Sequence, residues 1–235
     1  MQLDRILQKH GFGTRKGCRS LIRNELVAVN GVICDDPFAE IDTKDLIFTV
    51  DGVDWPYCDF ATLVLNKPVH YECSRKPQHH PSVLTLLPVP LRERDVQPIG
   101  RLDEDTTGLL LITDDGQLNH VLSSAKKKVP KVYLATTKHP VDQAQIDALL
   151  AGVELNDEPA LVYAAAAEIA GECLLRLTVT EGKYHQVKRM VAAAGNRVEA
   201  LHRESIGEFS LPADLKPGEW RWLSAVDLEK LGYSA

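Results

Sequence analysis

The sequence predicts an α+β protein in two parts, a small N-terminal module over residues 1–58 and a larger sheet-and-helix domain over residues 59–235. Three observations predict it. Charge changes sign within the first 58 residues. Beyond residue 61, apolar runs of strand length alternate with segments of helical period. Between the two, "DGVDWPYCDF" has the Gly, Pro and polar content of a linker. With 235 residues, 44% hydrophobic and 26% charged, the chain can bury one sizeable core plus a small module. Nothing in the composition signals disorder, collagen or a coiled coil.

Residues 1–24 carry six Lys or Arg against one acid, Asp4, whereas residues 25–58 carry one base against eight acids. Leu3, Ile6 and Leu7 share one face of a first short helix. "GFGT" ends it, and Thr14 suits the N-cap of a second. On that second helix Cys18, Leu21 and Ile22 form a packing face. Arg15, Lys16, Arg19 and Arg23 fall on a separate arc at about 100° per residue. Such an arc is commonly plain solvated surface. Here three of the four bases are Arg, which suits bidentate phosphate contacts, and no acid interleaves them along the helix. "VAVNGVIC" then gives two short β runs around Asn30-Gly31, a hairpin signal.

After the linker, "ATLVLNKP" reads as the first strand of the larger domain. Gly108–Thr113, Val132–Thr136 and Leu174–Val179 read as further strands. Asp142–Leu150 is a helix with Ile146, Leu149 and Leu150 in period, closed by Gly152. Tyr184–Ala194 is another, packing Val187, Met190, Val191 and Ala194 and stopping at Gly195. Lys188 and Arg189 lie off its apolar face, toward solvent or a cleft. Lys126, Lys127, Lys128 and Lys131 lie together without an acid among them. Lys183, Lys188 and Arg189 gather with His185 at a helix start. Three basic clusters in a chain of net charge −6 point to a local polyanion track and against a protein that coats nucleic acid wholesale.

The five cysteines are odd in number, widely spaced and free of any C-x-x-C pair. They are expected to be reduced thiols, with neither a disulfide framework nor a zinc site. No apolar stretch reaches the length of a membrane span, and the N-terminus lacks the apolar core of a signal peptide. The expectation is a cytoplasmic protein with no membrane partner, and plainly a monomer.

"GRLDEDTTGLLLITDDG", Gly100 to Gly116, concentrates five carboxylates around an apolar run. Asp103, Asp105, Thr107, Gly108 and Asp114 partly match a calcium loop. The twelfth position is Asp instead of Glu, however, and Leu109–Thr113 reads as a buried strand where a helix is required. A turn accounts for Thr106, Thr107 and one acid, with Asp105 expected to shape the loop beside the two threonines. Asp114-Asp115-Gly116 reads as a turn into a helix starting near Gln117, and Glu104 as a solvent-facing acid. "GRLD" is different, because Arg101 stands two residues before Asp103 in a loop entering a core strand. An Asp held ionised by neighbouring bases is a competent nucleophile toward an anomeric or activated ring carbon, without metal or cofactor. Spacing alone reaches a candidate nucleophile in an RNA-binding protein.

The same stretch resembles the signature of RNA pseudouridine synthases, in the branch that modifies ribosomal RNA. "LNKP" at Leu65–Pro68, "KVYL" at Lys131–Leu134, "EGKYHQVKRM" at Glu181–Met190 and "LHRESIG" at Leu201–Gly207 stand in the order of that branch. The N-terminal module resembles the S4 RNA-binding domain, so the likeness covers nearly the whole chain. The wording is most similar to that of the small-subunit (16S) members. Two residues depart from the pattern: His70 stands where Gly usually follows "KP", and Ser205 replaces a common Arg, which implies a weaker RNA contact there.

The resemblance implies a small S4-like domain followed by a catalytic domain with a mixed, largely antiparallel sheet flanked by helices. It implies that a uridine is flipped into a pocket. There Asp103 attacks at the ribose anomeric carbon or, alternatively, the uracil ring, the glycosidic bond breaks, and uracil turns and rejoins through carbon 5. Tyr133 corresponds to the residue that stacks on the base and takes part in proton removal, and Lys188 to the base paired with the Asp. Arg101 corresponds to the residue that fills the space left by the flipped base or holds the site. Leu201 corresponds to an apolar wall of the pocket. Arg15, Lys16, Arg19, Arg23, Lys126, Lys127, Lys128, Lys131, His185 and Arg189 are the expected RNA contacts. No cofactor or metal is expected, and the partner is ribosomal RNA or a partly assembled small subunit. The rivals are a synthase of the same branch acting on large-subunit RNA and a non-catalytic ribosome-assembly factor on the same scaffold.

Overall fold

The structure, a computed structural model, describes residues 1–124 and 127–233. The chain forms two compact units, Met1–Ala61 with Leu87–Gln97, and Thr62–Leu86 with Pro98–Ala235. The sequence reading has one boundary, after residue 58. The first unit also takes in the later segment 87–97, which no local composition shift announces.

In the first unit, α1 (Leu3–Lys9) and α2 (Arg15–Arg23) precede β1 (Val27–Val29), β2 (Val32–Ile33), β3 (Ile47–Val50) and β4 (Val53–Pro56); α3 (Val89–Glu93) comes from the later segment. The strands form an antiparallel sheet in the order β2-β1-β3-β4. Asn30 and Gly31 both have positive φ, 48° and 82°, as a tight two-residue hairpin turn requires. Thr14 Oγ1 caps α2 by accepting the Gly17 N–H at 3.2 Å. The apolar faces read from the sequence are the packed ones: Leu3, Ile6, Leu7, Cys18 and Ile22 are fully buried. No acid interleaves the α2 bases along that helix, as expected, but an acid from α1 meets them in space. Asp4 of α1, fully buried, accepts from Arg19 Nε at 2.8 Å and Arg15 Nη2 at 3.4 Å. Burial pushes the Asp4 carboxyl up, and the two guanidiniums outweigh it and hold it below its ordinary value.

In the second unit the strands are β5 (Thr62–Lys67), β7 (Thr106–Thr113), β8 (Lys131–Thr137), β9 (Ala166–Gly171), β10 (Leu174–Val179), β11 (Val198–Ile206), β12 (Phe209–Ser210) and β13 (Trp220–Trp222). The two-residue β6 (Gln97–Pro98) leads the chain back into this unit. The main path runs β13-β5-β7-β11-β8-β10-β9, and every pair along it is antiparallel except β7–β11. The mixed, largely antiparallel sheet is thus the one expected. Helices α4 (Gly116–Ser123), α5 (Gln143–Ala151), α6 (Gln186–Ala193) and α7 (Ala225–Lys230) accompany it. β5 and β7 are buried nearly end to end, so they read as continuous apolar runs instead of alternating ones. Leu109 and Leu111 of β7 join Leu118 and Leu122 of α4 in one core cluster, which anchors both ends of the acidic stretch. Helix α6 starts at Gln186, two residues later than expected, because His185 sits in the left-handed region at φ 47°. All five cysteines are free thiols. Among the described residues no helix is long and apolar enough to cross a membrane.

Candidate active site

The loop ahead of β7 is fixed by its own backbone and by one buried cation. Thr106 N–H donates to Asp103 O at 3.1 Å. Lys67, at the end of β5 and fully buried, donates its three Nζ hydrogens toward Pro68 O, Glu104 O and Thr106 O at 3.0, 3.1 and 2.9 Å. Burial lowers the Lys67 pKa, but three carbonyls satisfy the ammonium. The loop is therefore held by main-chain contacts that leave its side chains available.

Two bases from the start of α6 meet those side chains. Lys188 Nζ lies 3.1 Å from Asp103 Oδ2 and 2.6 Å from Asp105 Oδ1, and His185 Nε2 lies 3.3 Å from Asp103 Oδ1. Burial pulls the Lys188 pKa down, but its bonds to Asp105 and Asp103 dominate and raise it. Burial likewise raises Asp105, and Lys188 overrides it to leave that carboxyl below its ordinary value. Sequence reasoning expected Asp105 only to shape the loop; it shares the lysine with Asp103. Glu104, read as a solvent-facing acid, is turned toward His70 and His80. Asp115 has the structural duty predicted for that end, capping α4 through the Gln117 and Leu118 N–H groups.

A cavity of about 380 Å³ opens beside Asp103, lined by Arg101, Leu122, Lys131, Tyr133, Tyr184 and Arg203 among others. A smaller one of about 80 Å³ brings Leu201 together with Asp103, Tyr133 and Lys188. Arg203 was missed by sequence reasoning, although it lies inside the quoted "LHRE". It is 2% exposed, its Nε donates to Leu109 O at 2.8 Å and its Nη1 to Tyr133 OH at 3.4 Å. Its Nη2 is buried with no partner among the described residues. Strand register produces this pairing, since Arg203 stands opposite Tyr133 on β8 and Gly108 on β7. Lys131, expected on a surface track, lines the cavity instead and donates to Val129 O at 3.0 Å. Burial, reinforced by Arg203, lowers its pKa.

The remaining expected RNA contacts are dispersed. Lys127 and Lys128 are exposed between α4 and β8, and Lys126 lies outside the described residues. Arg189 is tied to the carbonyls of Tyr184 and Asn156. Lys16 and Arg23 are exposed on α2, while Arg15 and Arg19 share Asp4. Ser205, read as a weakened RNA contact, is buried in β11 opposite Ser210. His70 has φ 64°, a conformation that Gly adopts without penalty.

Residues 61–193 match the RNA pseudouridylate synthase family, and residues 1–47 match the S4 domain. The chain belongs to the RNA pseudouridylate synthase family. It is 46% identical over 229 residues to ribosomal small subunit pseudouridine synthase A of Escherichia coli (strain K12), covering 97% of this chain and 98% of that one. The enzyme of the same name from Haemophilus influenzae is 37% identical over 231 residues, covering 98% and 99%. A crystal structure of a pseudouridylate synthase superposes with a TM-score of 0.70 at 35% identity, covering 98% of this chain and 99% of that one. The cavity beside Asp103 therefore belongs to a pseudouridine synthase.

Proposed function

We propose that this enzyme converts one uridine of small-subunit (16S) ribosomal RNA to pseudouridine, with Asp103 as nucleophile. The observation that carries the chemistry is the Asp103 carboxylate, paired with Lys188 at 3.1 Å and lining a cavity whose wall is Tyr133 and Arg203. The small-subunit assignment draws on the names of the relatives at 46% and 37% identity over nearly the full chain.

In this reading the flipped uridine enters a cavity in the size range of small-molecule pockets, about 300–1,000 Å³. An Asp103 oxygen bonds to the ribose anomeric carbon as the bond from that carbon to uracil N1 breaks. Uracil turns and its carbon 5 bonds to the anomeric carbon as the ester bond to Asp103 breaks. The carbon 5 proton leaves and N1 gains one, so atoms and charge balance. Tyr133 packs against the base, and the buried Arg203, whose Nη1 lies 3.4 Å from the Tyr133 hydroxyl, holds that phenol in place. Lys188 offsets the repulsion between Asp103 and the phosphate chain. Arg101 lines both cavities and takes the place of the flipped base, and Leu201 forms an apolar wall. Lys16 and Arg23 on α2, with the exposed Lys127 and Lys128, hold the RNA outside the cavity. The enzyme works in the cytoplasm on the RNA or on a partly assembled small subunit.

The test is complementation with Asp103→Asn in a bacterial strain lacking its own small-subunit synthase. Wild type restores one pseudouridine in 16S RNA and the variant leaves that site as uridine, a loss of at least about 10³-fold in turnover. Equal pseudouridine with both proteins removes Asp103 from the chemistry. Restoration in 23S RNA alone overturns the small-subunit assignment and leaves the chemistry standing.

A further inference from the structure

We propose that His70, His80 and Glu104 bind one zinc-class divalent cation that ties the segment carrying His70 and His80 to the loop carrying Asp103. Among the described residues this is the group of three or more His, Cys, Asp or Glu side chains close enough to share an ion; its donor atoms all lie within 4.8 Å of one another. His70 Nδ1 is 3.5 Å and His80 Nε2 is 3.7 Å from Glu104 Oε2. Those separations are long for hydrogen bonds, which run about 2.7–3.2 Å. They are close to the roughly 3.3 Å between neighbouring donors on a tetrahedral zinc with 2.0–2.1 Å bonds. Glu104 Oε2 is itself buried and has no hydrogen-bond partner among the described residues, a costly state for a carboxylate oxygen unless a cation meets it.

The backbone around the three ligands is already ordered. His70 N–H donates to the main-chain oxygen of Glu104 at 2.8 Å, so one ligand is pinned to the backbone of another. His80 N–H donates to Glu72 Oε1 at 2.9 Å, and the same carboxylate accepts the N–H groups of His79 at 2.7 Å and Gln78 at 3.0 Å. Glu72 N–H in turn donates to Pro81 O at 2.9 Å, closing the segment on itself. Two imidazoles and one carboxylate are a donor set for Zn²⁺, Co²⁺ or Ni²⁺, whereas Mg²⁺ and Ca²⁺ take oxygen. A fourth position remains for water. Because Glu104 adjoins Asp103, the ion acts on the mobility of the catalytic loop. The site stands apart from the reading of the reaction.

Calorimetric titration of untagged protein with Zn²⁺ tests the site. One equivalent binds with micromolar or tighter affinity, Co²⁺ gives a visible ligand-field absorption band, and millimolar Mg²⁺ gives neither heat nor displacement. His70→Gly and His80→Ala each weaken Zn²⁺ by at least about tenfold and abolish the band. His79→Ala, one residue outside the triad, binds as wild type. Zn²⁺ raises the melting temperature of wild type but not of the two ligand variants, which also checks that those variants fold. Absence of stoichiometric binding, or binding that survives both ligand substitutions, overturns the proposal.

Discussion

Among the described residues Lys67 and Arg203 are the buried Lys and Arg of the catalytic unit; Lys67 spends its hydrogens on three main-chain carbonyls, whereas Arg203 gives one to the Leu109 carbonyl and one to the Tyr133 hydroxyl. A lysine or arginine in a strand sequence gives no sign of this, because the carbonyls it meets come from segments about 40 and 94 residues distant. His10 in the first unit is a comparable case. Its Nδ1–H donates to Ile6 O at 2.8 Å and its Nε2 accepts the Cys58 N–H at 3.1 Å, so the folded ring is neutral. Burial lowers its pKa to about 4. The folded value lies below the unfolded one, about 6.5, so the unfolded chain takes up the proton first. The stability contributed by the neutral ring is complete above about pH 6.5 and is lost as pH falls toward 4. Hydrogen-exchange protection factors of the α1 amides are expected to fall by about 2 kcal/mol more in wild type than in His10→Gln between pH 7 and 4.5. Parallel pH profiles for the two proteins contradict the assignment.

The element that positions the site most directly is the parallel pair β7–β11, with Leu201, His202 and Arg203 in register with Thr106, Thr107 and Gly108. Gly108 has φ +100°, and a Cβ there meets Arg203 O at 2.4 Å and Arg203 N at 2.9 Å. Both are backbone atoms, so the strands must separate to admit a methyl group. Gly108→Ala is expected to destabilise the fold by about 3 kcal/mol or more, lowering the melting temperature by roughly 6–12 °C. Gly116→Ala, with open space at the helix start, is the control and leaves the melting temperature within about 2 °C. A Gly108→Ala protein that melts with wild type means that β7 and β11 are not packed this closely. Strands β7, β8 and β10 and helix α5 were legible because they carry their own periodicity and caps, such as Asp142 accepting the Gln145 N–H, whereas β11, the partner of β7, was not read as a strand. The late start of α6 was not, because nothing local to "KYHQ" requires His185 to turn left-handed.

Across the whole molecule, a net charge of −6 coexists with exposed bases on α2 and after α4. The two kinds of base on α2 separate experimentally. Arg15 and Arg19 neutralise buried Asp4, so replacing them changes folding as well as charge. Lys16 and Arg23 are exposed, and their reversal to Glu isolates the RNA contact. That double variant is expected to bind ribosomal RNA more weakly and to flatten the slope of log affinity against log salt by roughly 1.5–2. An unchanged slope removes these two residues from the RNA surface. By itself the sequence determined those elements that carry their own period or caps, the five ordered motifs and, through them, the family and the choice of Asp103 as candidate nucleophile, because periodicity, caps and motif order are local properties of the chain. Only the tertiary structure decided which charges meet: Asp105 with Lys188, Asp4 with Arg19, Glu104 with two histidines, and Arg203 behind Tyr133. Those pairings depend on strand register and loop closure between distant segments, and Coulomb energy acts on the distances that folding creates.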